Sequence, residues 1–397
     1  GMGLVATALP FFLYGLSGDG CLEDKRNHSR PVQYHAFSLA LAVVANRKLG
    51  NALRFVIAQG IDYLSEFIAV DGDFNYFGRG HKQIFAYSPA LFALAAVRWH
   101  DAAAEARMRA IWDYVKGYQE ADGAFPLVLG PNGASSKVGW YDYHRHTVYN
   151  AFFNAWLALA EYEMETGRYA LPRTGRVSPR MRERRRGTIH MHSTPVYQAL
   201  WSKGFQHYSS ECGVSPHRIY SRADGVLMSC PGGPRPGVKG FGNIQRFEHE
   251  YANFFAPVAR DTSGKWHGPG CHAMDMQVHG DTVSYVHDLG AIALKRDVVF
   301  GATGFTVTDE IQAYDPAALA ELRVFNFPLL NPGGRAQVSG HVVSIGGTRI
   351  RVTVDGDPVV LSCGEAYPWV DGDVMVIRYT LPSIGHRYVV ISTFDFE

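Results

Sequence analysis

Apolar residues recur at helical spacing through the N-terminal part of the chain and at alternate positions through the rest, so the sequence changes character once along its length. The helical stretches predict helices over 3–17, 31–46, 50–69, 86–99, 102–120 and 146–166. Leu53, Val56, Ile57, Ile61, Leu64 and Ile68 make one stripe, and Met108, Ile111, Trp112 and Val115 make another. Helices opening at Tyr34, Tyr87 and Tyr149 are apolar nearly all round, which predicts an inner layer. The amphipathic stretches 50–69 and 102–120 predict an outer one.

A repeat underlies the pattern. Asp19-Gly20, Asp71-Gly72 and Asp122-Gly123 are spaced 52 and 51 residues apart, and each precedes a polar segment and a Tyr-led helix. Ala40, Ala93 and Ala155 each lie six residues past that Tyr. A period of this length is a repeated helical hairpin, with glycine supplying the left-handed residue at the turn. Three such hairpins predict part of an α/α toroid, a partial arc completed by sequence not present here or left open. The polar segments then gather at one end of the stack.

Residues 170–187 are rich in Pro, Gly and Arg without apolar periodicity, and predict a basic linker. Beyond them, stretches such as 341–345, 348–354, 374–379 and 387–394 alternate with period two, and Gly346-Gly347 marks a hairpin turn. The expected architecture is α+β and multidomain: an incomplete α/α-toroid domain over 1–169, the linker, and an antiparallel β-sandwich over 188–397.

Composition narrows the partners. The 397 residues are 47% apolar and 19% charged with a net charge of +1, so no overall field attracts polyanions and a dedicated nucleic-acid binder is excluded. Five cysteines without a CxxC pair form neither a disulfide framework nor a zinc ribbon. Residues 2–16 are apolar but lack a basic n-region and an Ala-x-Ala site, and are too short to span a bilayer; they predict a core helix kinked at Pro10, with no membrane partner.

The polar segments carry the candidate chemistry. The first holds Arg26-Asn27-His28-Ser29, the second runs from Asp73 through Asn75, Arg79, His81 and Lys82 to Tyr87, and the third holds Tyr143-His144-Arg145-His146 before Tyr149. Asn, His, Arg and Tyr recur where paired catalytic carboxylates are absent. Proton abstraction beside a carboxylate needs that group neutralised as charge develops, which an Asn amide with His or Arg provides. A Tyr then takes the proton and returns one to the departing oxygen, its phenolate favoured by nearby cations. This is β-elimination at a uronic acid.

On these residues the chain resembles the polysaccharide lyases built from an α/α toroid and antiparallel β-sheets: the hyaluronate/chondroitin, alginate and heparinase II/III groups. Arg26-Asn27-His28-Ser29 is similar to their Asn-bearing segment. Asp71-Gly72-Asp73-Phe74 leading to Tyr87 is similar to their Asp-Gly-Ser-Phe approach to a catalytic Tyr, with Asp73 in place of Ser, Phe77 at the usual His position and His81 displaced. Tyr143-His144-Arg145-His146 is similar to their Arg/His-rich segment. The resemblance implies an acidic polysaccharide or oligosaccharide as substrate. It gives catalytic roles to Asn27, His28, His81, Tyr87, His144 and Arg145, and substrate contacts to Arg79, Tyr143, His146 and Tyr149. The chain also resembles an uncharacterised bacterial family of helical-plus-β proteins.

Alternatives stay open on the same residues. Tyr34, Tyr87 and Tyr149 hold equivalent repeat positions that suit packing, and Asn27 suits a turn cap. An α/α-barrel glycoside hydrolase would use Asp71, Asp73 and Asp142, and a non-catalytic carbohydrate-binding protein would need none of them. No metal cofactor is required; His279 and Asp281 are the candidate ligands for a structural zinc or calcium.

Overall fold

Each Asp-Gly pair closes the same backbone turn in the computed structural model of the chain, which describes residues 12–23, 30–76, 82–132, 148–171, 189–203, 214–229, 254–269, 275–369 and 371–397. In the first turn Ser17 N donates to Cys21 O at 2.8 Å and Gly20 N to Ser17 O at 3.1 Å. Ala69 N to Asp73 O (2.8 Å) and Gly72 N to Ala69 O (2.9 Å) repeat the pair, as do Glu120 N to Ala124 O (2.8 Å) and Gly123 N to Glu120 O (2.9 Å). Oδ1 of Asp19, Asp71 and Asp122 accepts from the amide two residues on, at 3.4, 3.3 and 2.9 Å. The glycines sit at φ +97°, +89° and +88°, where a Cβ would clash with the backbone.

The chain divides into compact units 1–185 and 186–397. The first contains α1 (Val32–Lys48), α2 (Arg54–Phe67), α3 (Tyr87–Val97), α4 (Ala102–Lys116) and α5 (Val148–Thr166). α1 packs on α2 and α3 on α4, while α1, α3 and α5 lie side by side. Every residue of α3 from Tyr87 to Ala96 is buried, as an inner helix requires. α4 buries only Ala104, Met108, Ile111 and Val115, an outer-helix stripe, each large side chain contributing about 2 kcal/mol. Asp101 starts α4 by accepting Ala103 N at 2.9 Å.

Two expectations are corrected. α5 is not an all-round apolar inner helix: it buries one stripe, Phe153, Trp156, Ala160 and Glu163, and packs mainly on α3. Of the helix expected over 3–17, residues 12–15 are helical, Leu16 bridges Leu22, and the rest lies outside the described residues. The described helices form two packed pairs, α1 with α2 and α3 with α4, with α3 between α1 and α5; no closed ring is present among them.

The second unit is antiparallel throughout its described pairings and contains three sheets. A nine-stranded sheet runs β12 (Gln337–Ser339), β13 (Val342–Ile345), β14 (Thr348–Val354), β18 (Arg387–Phe396), β10 (Gly304–Ala313), β9 (Ile292–Phe300), β8 (Thr282–Asp288) and β7 (Met276–His279), with β15 (Asp357–Pro358) beside β14. A five-stranded sheet runs β16 (Ser362–Trp369), β17 (Gly372–Thr380), β11 (Leu319–Leu330), β5 (Val258–Asp261) and β6 (Trp266–His267). β1 (Ile189–Ser193), β2 (Tyr197–Ser202), β3 (Arg218–Ser221) and β4 (Gly225–Ser229) form the third.

Ring contacts show the layering. Trp201 on β2 meets Phe305 on β10 at 5.5 Å between centroids, and Phe327 on β11 meets Phe394 on β18 at 5.4 Å. The large sheet therefore faces both smaller ones, and the expected sandwich has one of its layers divided between two sheets. In its core the cross-strand partners Arg296 and Asp309 form a bidentate pair at 2.7 and 2.6 Å. Arg296 Nη1 also donates to Val214 O and Phe255 O, both at 2.6 Å. A buried charge is tolerated because nearly every donor is used.

The turns differ in what surrounds their glycines. A Cβ on Gly72 would lie 1.9 Å from Ala110 O, whereas one on Gly123 meets nothing nearer than Gln119 Nε2 at 3.9 Å. Gly123→Ala is expected to cost about 1–2 kcal/mol from conformation alone. Gly72→Ala adds a backbone clash and should cost more than about 3 kcal/mol. Denaturant unfolding followed by circular dichroism checks this, and equal losses would refute the close approach of α4 to the second turn.

Candidate functional site

The first two polar segments are fastened at their bases by cations. Arg30, which follows residues 24–29, pairs through Nη1 with Asp19 Oδ2 at 2.6 Å and through Nη2 with Glu23 Oε1. Burial pushes the Asp19 carboxyl up, but Arg30 and hydrogen bonds from Ser17 and the Cys21 amide hold it below the usual carboxylate range. Beside this pair, burial pushes the Cys21 thiol and the Tyr63 phenol up, so both stay protonated near neutrality.

The second base is more enclosed. Lys82, which follows residues 77–81, pairs through Nζ with Asp73 Oδ2 and donates to Tyr114 Oη at 2.8 Å. Tyr87 Oη donates to the other Asp73 oxygen at 2.8 Å, and the Asn75 amide donates to it at 3.0 Å. Asp73, Lys82 and Tyr87 are all buried. Lys82 stands at φ +62°, a left-handed conformation uncommon outside glycine. Its amide donates to Asn75 O at 2.6 Å and its carbonyl accepts Leu129 N at 2.8 Å, so the backbone on both sides holds it there.

The third segment joins the second. Ile84 N donates to Leu127 O at 2.8 Å, and Phe85 stacks on Tyr149 with centroids 5.0 Å apart. The turn at Ile84–Ala86 packs against both α1 and α5, bringing them together at the start of α3. In the first hairpin His35 ties the same region: Leu22 N donates to its Nδ1 at 2.9 Å, leaving Nε2 to donate to Gly60 O at 2.8 Å.

Of the sequence-derived candidates, Asn27, His28, Arg79, His81, Tyr143, His144, Arg145 and His146 lie outside the described residues. Tyr87 lies inside, at 0% exposure, with its hydroxyl enclosed by Asp73 rather than facing solvent. Tyr149 is half-buried at the start of α5. For the hydrolase alternative, Asp73 has both oxygens engaged, Asp71 caps its own turn, and Asp142 lies outside the described residues. Neither described aspartate presents a free carboxyl to a sugar. His279 and Asp281 stand on the exposed β7–β8 hairpin, and among the described residues no three His, Cys, Asp or Glu side chains gather to hold a metal.

A cavity of about 330 Å³ opens between α3, α4 and α5, lined by Leu91, Met108, Trp112, Leu157, Ala160 and Met164 together with charged residues. It contains no sequence-derived site residue and lies toward the far end of α3 from Tyr87. Sequence reasoning missed the partnership of Lys82 and Tyr114 with Asp73. The available signal was the replacement of Ser by Asp at a buried turn position, which demands a cation nearby.

No protein-family model and no curated protein matches the sequence. Among solved structures, the chain is similar to the chondroitin AC lyase of Streptomyces coelicolor A3 in complex with chondroitin sulphate, at 10% identity and TM-score 0.42, covering 87% of this chain and 49% of that one. It is similar to 4-alpha-glucanotransferase from Thermococcus litoralis at 9% identity and TM-score 0.38, covering 93% and 58%. A putative aldose 1-epimerase from Escherichia coli K12 is similar at 10% identity and TM-score 0.28, covering 53% of this chain and 99% of that one. The chain thus spans about half the length of the first two.

Removing one member of the enclosed pair strands the other. Lys82→Met is expected to cost about 3–5 kcal/mol, while Asp73→Asn with Lys82→Met should recover part of that loss. A double-mutant unfolding cycle checks the coupling, and strictly additive losses would disprove it.

Proposed function

We propose that the protein is a polysaccharide lyase that cleaves a uronic-acid-containing polysaccharide by β-elimination. In this reading Asn27 with His28 or Arg145 neutralises the uronate carboxylate, Tyr87 acts as base and acid, and His81 or His144 assists. Arg79, Tyr143, His146 and Tyr149 contact the sugar chain.

The observation that carries this reading is the Tyr87 hydroxyl held 2.8 Å from a carboxylate that an ammonium already neutralises. The hydrogen bond fixes the orientation of the phenol, and the Lys82 ammonium on the same carboxylate places a cation close to it. A second support is the fastening of both loop bases, which fixes where the segments bearing Asn27 and His81 begin. In the state described the Tyr87 oxygen is enclosed, so turnover requires the wall over it to open.

Incubation with hyaluronan, chondroitin sulphate, alginate and polygalacturonate should give unsaturated product, read by its near-ultraviolet absorbance. Tyr87→Phe is expected to lower the rate by at least about a hundredfold, with thermal stability reduced by only a few degrees. Tyr149→Phe should act mainly on KM. The reverse pattern would move the base to Tyr149, and the absence of product from every polymer would reject the lyase reading.

A further inference from the structure

The second unit carries a cationic cluster that the lyase chemistry does not use. Arg260 on β5 is the cross-strand partner of Trp266 on β6 and of Glu321 on β11, so the three side chains share one face of the five-stranded sheet. Arg323, two residues beyond Glu321, lies on the same face. Arg378 joins them, because it lies two residues from Thr380, the partner of Arg323.

Two guanidiniums divide one carboxylate. Arg323 Nε donates to Glu321 Oε1 at 2.6 Å, and Arg260 Nη2 reaches Oε2 at 3.1 Å. Both also lie over the Trp266 ring, Arg323 at 4.6 Å and Arg260 at 5.7 Å from its centroid. The roles differ by exposure: the Arg323 side chain is 3% exposed and belongs to the support, whereas that of Arg260 is 43% exposed. A half-exposed guanidinium, braced by an aromatic ring and paired with one carboxylate oxygen, is arranged to take an anionic group.

We propose that the Arg260–Trp266 face of the five-stranded sheet is an accessory binding site for the acidic groups, carboxylate or sulphate, of a polysaccharide chain. The inference rests on the acidic-polysaccharide reading above. It concerns binding at a site built wholly within the second unit, so it is measured without turnover. Arg260 makes the contact, Trp266 and Arg323 position it, and Arg378 extends the basic character along the same face.

The test is calorimetric titration of the full chain at low and high salt with hyaluronan oligosaccharide (carboxylate only), sulphated dextran oligosaccharide (sulphate only), maltohexaose (neutral) and a single-stranded oligonucleotide. Binding of one or both acidic saccharides, weakened by salt and by about tenfold in Arg260→Gln, is expected. The responding saccharide identifies the anion. Should Arg260→Gln not fold, Arg260→Lys supplies the measurement: weaker binding is expected because an ammonium lacks the planar fork. Undiminished binding by the folded variant, equal binding of maltohexaose, or oligonucleotide binding as tight as that of the saccharides overturns the proposal. Loss of binding in the variant with no unsaturated product from the unaltered protein supports this inference while rejecting the lyase. Product formation with unaltered binding in the variant does the opposite.

Discussion

Buried charge cannot be left alone, and that constraint organises the helical unit. Asp19 and Asp73 belong to Asp-Gly turns at equivalent places in the chain, yet neither is a surface cap in the ordinary sense: each is buried and each receives a cation from the far side of a loop. Separating Lys82 from Asp73 strands an ion in a low-dielectric interior, at a cost far above that of losing a surface pair. The loop ends are therefore tied as firmly as the helices they connect.

The regular parts of this architecture were readable from residue types. The spacing of the three Asp-Gly pairs follows from a turn that needs a left-handed residue, and the three glycines share nearly one φ. Stripes such as Met108, Ile111 and Val115 mark a helix buried on one side, and alternation in 348–354 marks a strand with one face inward. What stayed hidden depends on partners distant in sequence. α5 reads as apolar throughout, but its burial is decided by which helices lie beside it. The division of one sandwich layer into two sheets depends on strand pairing, which local pattern does not encode.

The candidate site was legible in the same uneven way. Tyr34 and Tyr87 stand at one repeat position, but Tyr34 is half-exposed and the neighbouring His35 takes the enclosed place, whereas Tyr87 is enclosed and needs an acceptor. The turn position that supplies this acceptor is Cys21 in the first repeat, Asp73 in the second and Ala124 in the third. The repeat thus keeps its backbone while one position exchanges a thiol, a carboxylate and a methyl. Side-chain chemistry varies at that position while the turn does not, which is why a period search finds the scaffold first.

The pairing of Arg296 with Asp309 bears on how the second unit assembles. The two residues face each other across the β9–β10 hairpin, so their ion pair forms when two strands adjacent in sequence meet. The carbonyls of Val214 and Phe255 belong to segments far away in the chain. The hairpin thus carries a half-satisfied guanidinium into the collapse, and an arrangement of the other layer that offers it no carbonyls leaves a charged donor unmatched in the interior. Arg296 thereby makes the docking of the other layer selective for the arrangement that supplies both carbonyls.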